Sequence, residues 1–310
     1  MLRCLPRAPH RPAGPRPPSR AAPASFTAAG RGSAAPLPLS YMVFDGSTPQ
    51  SPLVFLHGLL GSKSNFRAIA RALVQRTGRK LVVAPLSWQV LTVDARNHGD
   101  SPHSPTMSYE AMSLDVQRLL RQLHLPKCVL IGHSMGGKTA MTLALQQPDL
   151  VERLVSVDIS PTESVAVTNF QAYISAMRRV SIPNGIPRST ARRLAEDQLY
   201  PAVQASAVRR FLLTNLVEVE GRYMWRVNLE AISQHMADIM GFPVFHMPYP
   251  GPTLFLAGSD SSYVSSEDYP EIERLFPKAE IHYITGAGHW VHADKSQEFI
   301  TAICNFLLVP

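Results

Sequence analysis

Cysteine is scarce: Cys4, Cys128 and Cys304 are all that 310 residues contain, and they lie far apart. No disulfide framework or zinc-type spacing can be drawn from them, and buried thiols are the expectation for the two in apolar runs. Long apolar runs are missing as well. Nothing reaches the roughly 18 residues of a membrane span, and the N-terminal stretch lacks the apolar core of a secretory signal peptide. No internal repeat is present. Acidic residues are absent from the first forty positions, the first being Asp45, whereas Arg3, Arg7, Arg11, Arg16, Arg20 and Arg31 all fall there. Removing these six positive charges brings the formal charge of +7 down to +1. The remainder is therefore almost neutral, which argues against a basic nucleic-acid face.

What the leader does contain is arginine, serine, alanine and nine prolines. An arginine-rich, acid-poor composition fits a mitochondrial transit peptide, although Pro6, Pro9, Pro12 and Pro15 allow only a short helical start. Residues 1–36 are accordingly expected to be a targeting or disordered segment.

Beyond the leader, short apolar runs alternate with helical periodicity. Leu39–Asp45 and Ser51–Leu56 read as strands, and Phe66, Ile69, Ala70 and Leu73 recur at helical spacing after a cap at Ser64 or Asn65, until Gly78. Leu81–Ala84 and Val90–Asp94 look like the same strand twice. Pro85 cannot sit inside a central ladder, so residues 81–89 read as an insertion and the second run as the strand. A helix from Tyr109 to Leu123, capped by Ser108, leads to a strand ending near Gly132; a further helix runs to Gln147 and a strand to Val157. This rhythm predicts an α/β fold with a mostly parallel sheet and helices on both faces. From Thr162 to Pro250 only helical segments are read, rich in Met and aromatics that suit an acyl chain. Residues 37–161 and 251–310 are the expected core, and 162–250 a helical cap inserted before the last two strands. Asp294 and Gln297 form a capping pattern for the closing helix.

Gly132-His-Ser134-Met-Gly136 sits between a strand and a helix. It matches G-x-S-x-G, the turn that lifts a nucleophilic serine clear of a sheet. The same letters, continued to Gly137-Lys138-Thr139, match the phosphate-cradling G-x-x-x-x-G-K-[ST], for which Asp94 or Asp158 could serve as a magnesium-side acid. Partners elsewhere decide between them. His57-Gly58 ends an early strand, where a second oxyanion donor is wanted, and His289 follows the last strand between glycines. That chain order is the one found in α/β-hydrolases, and a nucleotide site has no use for either histidine. Ser134 is then the candidate nucleophile, His289 its base, and the N–H groups of Leu59 and Met135 the oxyanion donors. His57, His133 and His292 read as packed or loop-stabilising residues. The acid stays open between Asp158, at a strand end, Glu230, in the cap, and Asp260, beside the position where Ser261 stands.

The stretches FLHGLLGSKSNF (55–66), TVDARNHGDSPHS (92–104), GHSMGGKTAM (132–141), VDISP (157–161), WRVNLEAI (225–232) and GAGHWVHADK (286–295) resemble the YbfF-like branch of the α/β-hydrolases over residues 37–308. The 81–89 insertion departs from its pattern. The resemblance implies a serine hydrolase of carboxylic esters, diacylglycerol among them, needing no cofactor or metal, with Asp158 favoured as the acid. It further implies a mitochondrial matrix address and association with the 2-oxoglutarate dehydrogenase complex.

Overall fold

A computed structural model describes residues 35–46, 50–75, 89–164 and 170–308. Its centre is a seven-stranded sheet in the order β1-β3-β2-β4-β5-β8-β9. The strands are β1 (Tyr41–Phe44), β2 (Leu53–Leu56), β3 (Val90–Val93), β4 (Cys128–His133), β5 (Val151–Val157), β8 (Thr253–Gly258) and β9 (Ala279–Ile284). Among the described residues, the β1–β3 pairing is the one antiparallel pairing of this sheet. In β2, β3, β4 and β8 every residue is buried. Such strands read as unbroken apolar runs because helices cover both of their faces.

Successive side chains of a strand point to opposite faces. Leu53 and Phe55 accordingly join one cluster with Val129, Ile131 and Val155, under α1 (Arg67–Gln75) and α11 (Ser296–Leu308). Val54 and Leu56 join the other with Leu130 and Leu154, under α2 (Tyr109–Gln122) and α3 (Met135–Gln146). Ser108 caps α2 as the sequence suggests, its hydroxyl accepting the Ala111 N–H at 3.3 Å. Of the doubled run, Val90–Val93 is the strand between β1 and β2. The rest of the 81–89 reading, like the helix stop at Gly78 and nearly all of the leader, lies outside the described residues, save Gln89, whose carbonyl accepts the Leu53 N–H.

Between β5 and β8 the chain forms an insert, termed the cap below. It contains α4 (Phe170–Arg179), α5 (Arg188–Leu199), α6 (Ser206–Leu212), α7 (Leu229–Gln234) and α8 (Met236–Met240). The expectation of helices alone is corrected here: Leu216–Val219 (β6) and Arg222–Trp225 (β7) pair as an antiparallel hairpin. Its turn, Glu220-Gly221, has φ of 51° and 76°, the two left-handed residues that join twisted strands most tightly. Ile174, Met177, Leu212, Ile232 and Ile239 of the cap pack on Leu59, Leu60 and Met135 of the body. A third apolar cluster thus lies across the carboxyl ends of the parallel strands. The remaining helices, α9 (Tyr269–Leu275) and α10 (Val291–Asp294), flank β9.

Two capping expectations shift. A 3-10 turn over Lys63–Phe66 precedes α1, with Ser62 at its head, whose N–H is taken by Asn65 Oδ1 at 2.6 Å. Asp294 ends α10 and does not cap α11; its carboxylate instead accepts the Gly288 N–H at 2.9 Å, tying down the loop that carries His289. The closing helix starts at Ser296, two residues beyond Asp294, whose carboxylate is taken by the neighbouring loop.

Candidate active site

Ser134 stands at the tip between β4 and α3 with φ 53° and ψ −119°, backbone angles that a non-glycine residue adopts only under constraint. The constraint is steric. A Cβ at Gly132 would lie 2.1 Å from the Gly136 carbonyl oxygen, and one at Gly136 would lie 2.3 Å from that of Leu56. Both positions must be glycine for the turn to close against β2. The Ser134 N–H is anchored to the Val157 carbonyl at 3.0 Å, and its carbonyl receives the Lys138 N–H.

His289 lies on the loop after β9. Its Nδ1 is 2.7 Å from Asp158 Oδ2, and Asp158 is wholly buried. A carboxylate accepts at Nδ1–H, so Nε2 is left as the basic nitrogen. The ring stacks on Tyr263 with centroids 4.0 Å apart, and the His289 carbonyl accepts from His133 Nε2 at 2.8 Å. Burial, together with the neighbouring His289 and His292, pulls the pKa of His133 well below its usual value and keeps it neutral. Asp158 has φ 51° and is held from three sides: Gly258 N–H donates to Oδ1 at 2.9 Å, while Ser261 Oγ and His289 share Oδ2.

The other two carboxylates lie elsewhere in the bonding pattern. Glu230 is exposed and paired with Arg178 at 2.7 Å, with Gln234 on its second oxygen. Asp260 is exposed and accepts from Ser259 Oγ. Ser261, at the offset where an acid was sought, is a donor to Asp158, a role that residue spacing gave no sign of.

Leu59 and Met135 both border Ser134, and among the described residues neither N–H has a hydrogen-bond partner. Two clefts meet at Ser134. One is lined by His57, His133, His289 and Trp290 with Phe211 of the cap. The other is narrow and mostly apolar and lies beneath the cap beside Met135, Ile159, Phe170, Met240 and Tyr263. Donors converging on one serine from which an apolar channel leads away suit attack on an acyl group.

Lys138 closes the apolar cleft. Its ammonium donates to Ser164 Oγ at 2.9 Å, to the Met240 carbonyl at 2.7 Å and to the Gly241 carbonyl at 2.9 Å. With the phosphate reading set aside, Lys138 and Thr139 would be ordinary first-turn residues of α3. The Lys138 ammonium is committed to these three acceptors, and Thr139 Oγ1 is turned back to the Met135 carbonyl. The lysine is not ordinary, however, because it joins α3 to the entry and the exit of the cap. Burial lowers its pKa to about 7, against the opposing pull of Glu163 and Asp268. Asp94, the other magnesium-side candidate, is occupied by Lys63 Nζ and by the N–H groups of Lys63 and Asp100. Among the described residues no group of three or more His, Cys, Asp or Glu is placed to hold a metal ion, and no helix is long and apolar enough to cross a membrane.

Residues 51–296 match the family model of the alpha/beta hydrolase fold. The sn-1-specific diacylglycerol lipase ABHD11 of Danio rerio is 64% identical over 274 residues, spanning 88% of this chain and 84% of that protein. Esterase YbfF of Escherichia coli is 34% identical, spanning 83% of this chain and 93% of its own length. Among solved structures, one described as a marine microorganism esterase superposes with a TM-score of 0.76 at 35% identity, covering 87% of this chain and 99% of the other.

Proposed function

The chain belongs to the α/β-hydrolase family, and from that premise we propose that it cleaves acyl-glycerol esters through an acyl-enzyme on Ser134. The observation that carries this reading is the 2.7 Å contact between His289 and buried Asp158, beside a serine held at φ 53°. Asp158 fixes the imidazole tautomer, so that His289 Nε2 takes the Ser134 proton as Oγ attacks the ester carbonyl. The oxyanion that forms accepts hydrogen bonds from Leu59 and Met135 N–H. His289 returns the proton to the leaving alcohol, and the acyl group stays on Oγ. Water, deprotonated by the same nitrogen, then attacks the acyl-enzyme and frees the fatty acid and the serine.

Ester cleavage by a serine hydrolase is the coarse statement; diacylglycerol as the substrate is the finer one. The second is supported by the name of the zebrafish relative and by the apolar cleft under the cap, where an acyl chain would lie against Phe170, Met240 and Tyr263. The cap is assigned to residues 162–250. The leader's composition and the family resemblance support a mitochondrial matrix address, and the resemblance alone supports a link to the 2-oxoglutarate dehydrogenase complex.

The deciding experiment is labelling of the purified chain with a fluorophosphonate probe, wild type against Ser134→Ala, alongside fatty-acid release from a diacylglycerol. Labelling and release in the wild type, both abolished in the variant, are expected. A folded wild type that takes no label would end the nucleophile assignment, and labelling without release from diacylglycerol would end the substrate assignment alone.

A further inference from the structure

The turn after β2 has most of its polar groups already committed. The Gly58 carbonyl accepts the Gly61 N–H at 3.0 Å and lies 2.8 Å from His57 Nδ1. Leu60, at φ 60°, has both of its backbone groups held: its N–H donates to His98 Nε2 at 3.1 Å and its carbonyl accepts from Asn215 Nδ2 at 2.7 Å. The Leu59 N–H lies between these anchors, bordering the cleft with no partner among the described residues.

The two anchors come from different parts of the molecule. His98 belongs to the loop after β3 and is fully buried, its Nδ1 donating to the Arg96 carbonyl at 2.9 Å, which leaves Nε2 as the acceptor. His57 returns the favour across the same gap by accepting the Ala95 N–H at 3.0 Å, so the loops after β2 and β3 are bonded to each other by two imidazoles. Burial holds the pKa of His98 down to about 3, so this acceptor is not lost by protonation near neutral pH. Asn215 is a cap residue, 2% exposed, at the end of the 3-10 turn that follows α6; its own carbonyl is fixed by the Arg226 N–H at 2.8 Å.

The Leu59 N–H belongs to the Gly58–Leu59 peptide, whose carbonyl is held by the Gly61 N–H, and the two peptides that follow are held through the Leu60 N–H and the Leu60 carbonyl, so the turn as a whole has little freedom to rotate. We propose that His98 and Asn215 are positioning residues that hold the Leu59 N–H aimed at the oxyanion, and that Asn215 makes this donor depend on the seating of the cap. This rests on the assignment of Ser134 and Leu59 given above. Neither side chain touches substrate. When the cap lifts, the Leu60 carbonyl loses its donor and the turn keeps only its body-side anchors; when the cap seats, the turn is held from both sides. Closure over a bound acyl chain would thereby be coupled to activation.

The test measures turnover of p-nitrophenyl butyrate, affinity for an alkylboronic acid and extent of fluorophosphonate labelling in His98→Phe, His98→Gln, Asn215→Leu and Asn215→Asp, with thermal melting as the check on folding. The boronic acid forms an anionic tetrahedral adduct on serine and so reports the oxyanion site directly. Removal of one oxyanion donor lowers kcat by about 100- to 1000-fold in a well-studied hydrolase, and misaiming a donor should cost less. We expect kcat about 10- to 100-fold lower in His98→Phe and Asn215→Leu, with KM within about twofold and boronate affinity falling in parallel, while labelling still goes to completion. His98→Gln, which keeps an acceptor at the Nε2 position, should recover most of the lost turnover. Folded variants with wild-type kcat and boronate affinity would overturn the proposal, as would a loss confined to KM. Should His98→Phe fail to fold, Asn215→Asp decides alone: it keeps the shape of the side chain but presents an oxygen to the Leu60 carbonyl, and unchanged kcat there overturns the coupling. A wild type without label would fail the underlying nucleophile assignment, a result separable from the first because it involves no variant.

Discussion

The body and the cap hold their buried polar groups by different means, and two cations make the contrast concrete. Arg96, in the body, faces a carboxylate: Nε and Nη2 meet the two Asp115 oxygens at 2.7 and 2.8 Å, and neither side chain is exposed. Lys138, at the seam between body and cap, meets one hydroxyl and two carbonyls. A charge pair that is fully desolvated is costly to break, since the partner left behind is a bare ion. Neutral acceptors on a cap lose far less on separation, because water can replace the lysine at each of them. The Arg96–Asp115 pair is thereby locked into the body by charge, whereas Lys138 ties body to cap through neutral acceptors. The same division runs through the site: Ser134, His289 and Asp158 are held by body elements alone, and the cap contributes Phe170, Phe211, Met240 and the Asn215 amide.

If this contrast holds, changes in the body should remove chemistry or folding, and changes at the seam should alter selection. The largest effect is expected from Asp158→Asn. The amide cannot hold the His289 tautomer, so kcat should fall by about 10³- to 10⁴-fold, with the melting temperature close to wild type. Steady-state kinetics with p-nitrophenyl butyrate checks it, and near-normal turnover would return the acid to open choice.

Asp115→Asn, outside the Ser134, His289 and Asp158 set, should act on stability in place of rate. Leaving Arg96 buried without its counter-charge should cost about 3–5 kcal/mol, read as a lowered urea midpoint. Equal stability would mean that the pair does not distinguish body from seam.

Lys138→Met keeps the volume of the stem and removes the three hydrogen bonds. We expect a folded enzyme with an altered acyl-length preference, seen as KM changes of several-fold across p-nitrophenyl esters of different chain length. The same variant tests the charge. The folded pKa is depressed to about 7 from an unfolded value near 10.5, so between those pH values the unfolded chain holds a proton that the folded chain does not. Stability should therefore rise with pH across that window in the wild type relative to Lys138→Met. Urea titrations at pH 7, 8 and 9 compare the slopes; identical slopes would show that the ammonium stays protonated on its three acceptors.

The smallest effect belongs to Glu230→Gln. Its pair with Arg178 is exposed, worth about 0–1 kcal/mol, and its carboxylate is bonded to Arg178 and Gln234. Unchanged kcat is expected, and a fall of a hundredfold would move the acid assignment from the body to the cap.

Much of the body was legible in the linear order. Unbroken apolar runs, the Ser108 cap and the glycines around Ser134 are local requirements, satisfied within a few residues, and each had a visible signature. The strand at Val90–Val93 was legible for the same reason, as an apolar run ending at a polar residue. The β6–β7 hairpin was missed although Val217, Val219, Tyr223 and Trp225 stand at every second position of two short β-rich runs, because Glu220-Gly221 is a weaker turn signal than Asn-Gly and the surrounding helices set the context. Asp294 was misread because a capping pattern is local, whereas the Gly288 N–H that claims its carboxylate depends on how a loop folds back.

By itself the sequence determined the alternation of strands and helices, the strained turn under Ser134, and the candidates His289, Leu59 and Met135. All of these follow from backbone sterics and from periodicities that act over one or two turns of chain. Which carboxylate meets His289, that Ser261 and His133 steady the pair, that Lys138 straps the cap and that Asn215 reaches Leu60 were decided by the tertiary structure alone. These are contacts between residues 26 to 156 positions apart, and a distance of that kind has no trace in composition or spacing. It is fixed only when the sheet brings the carboxyl ends of its strands to one edge and the cap is laid across them.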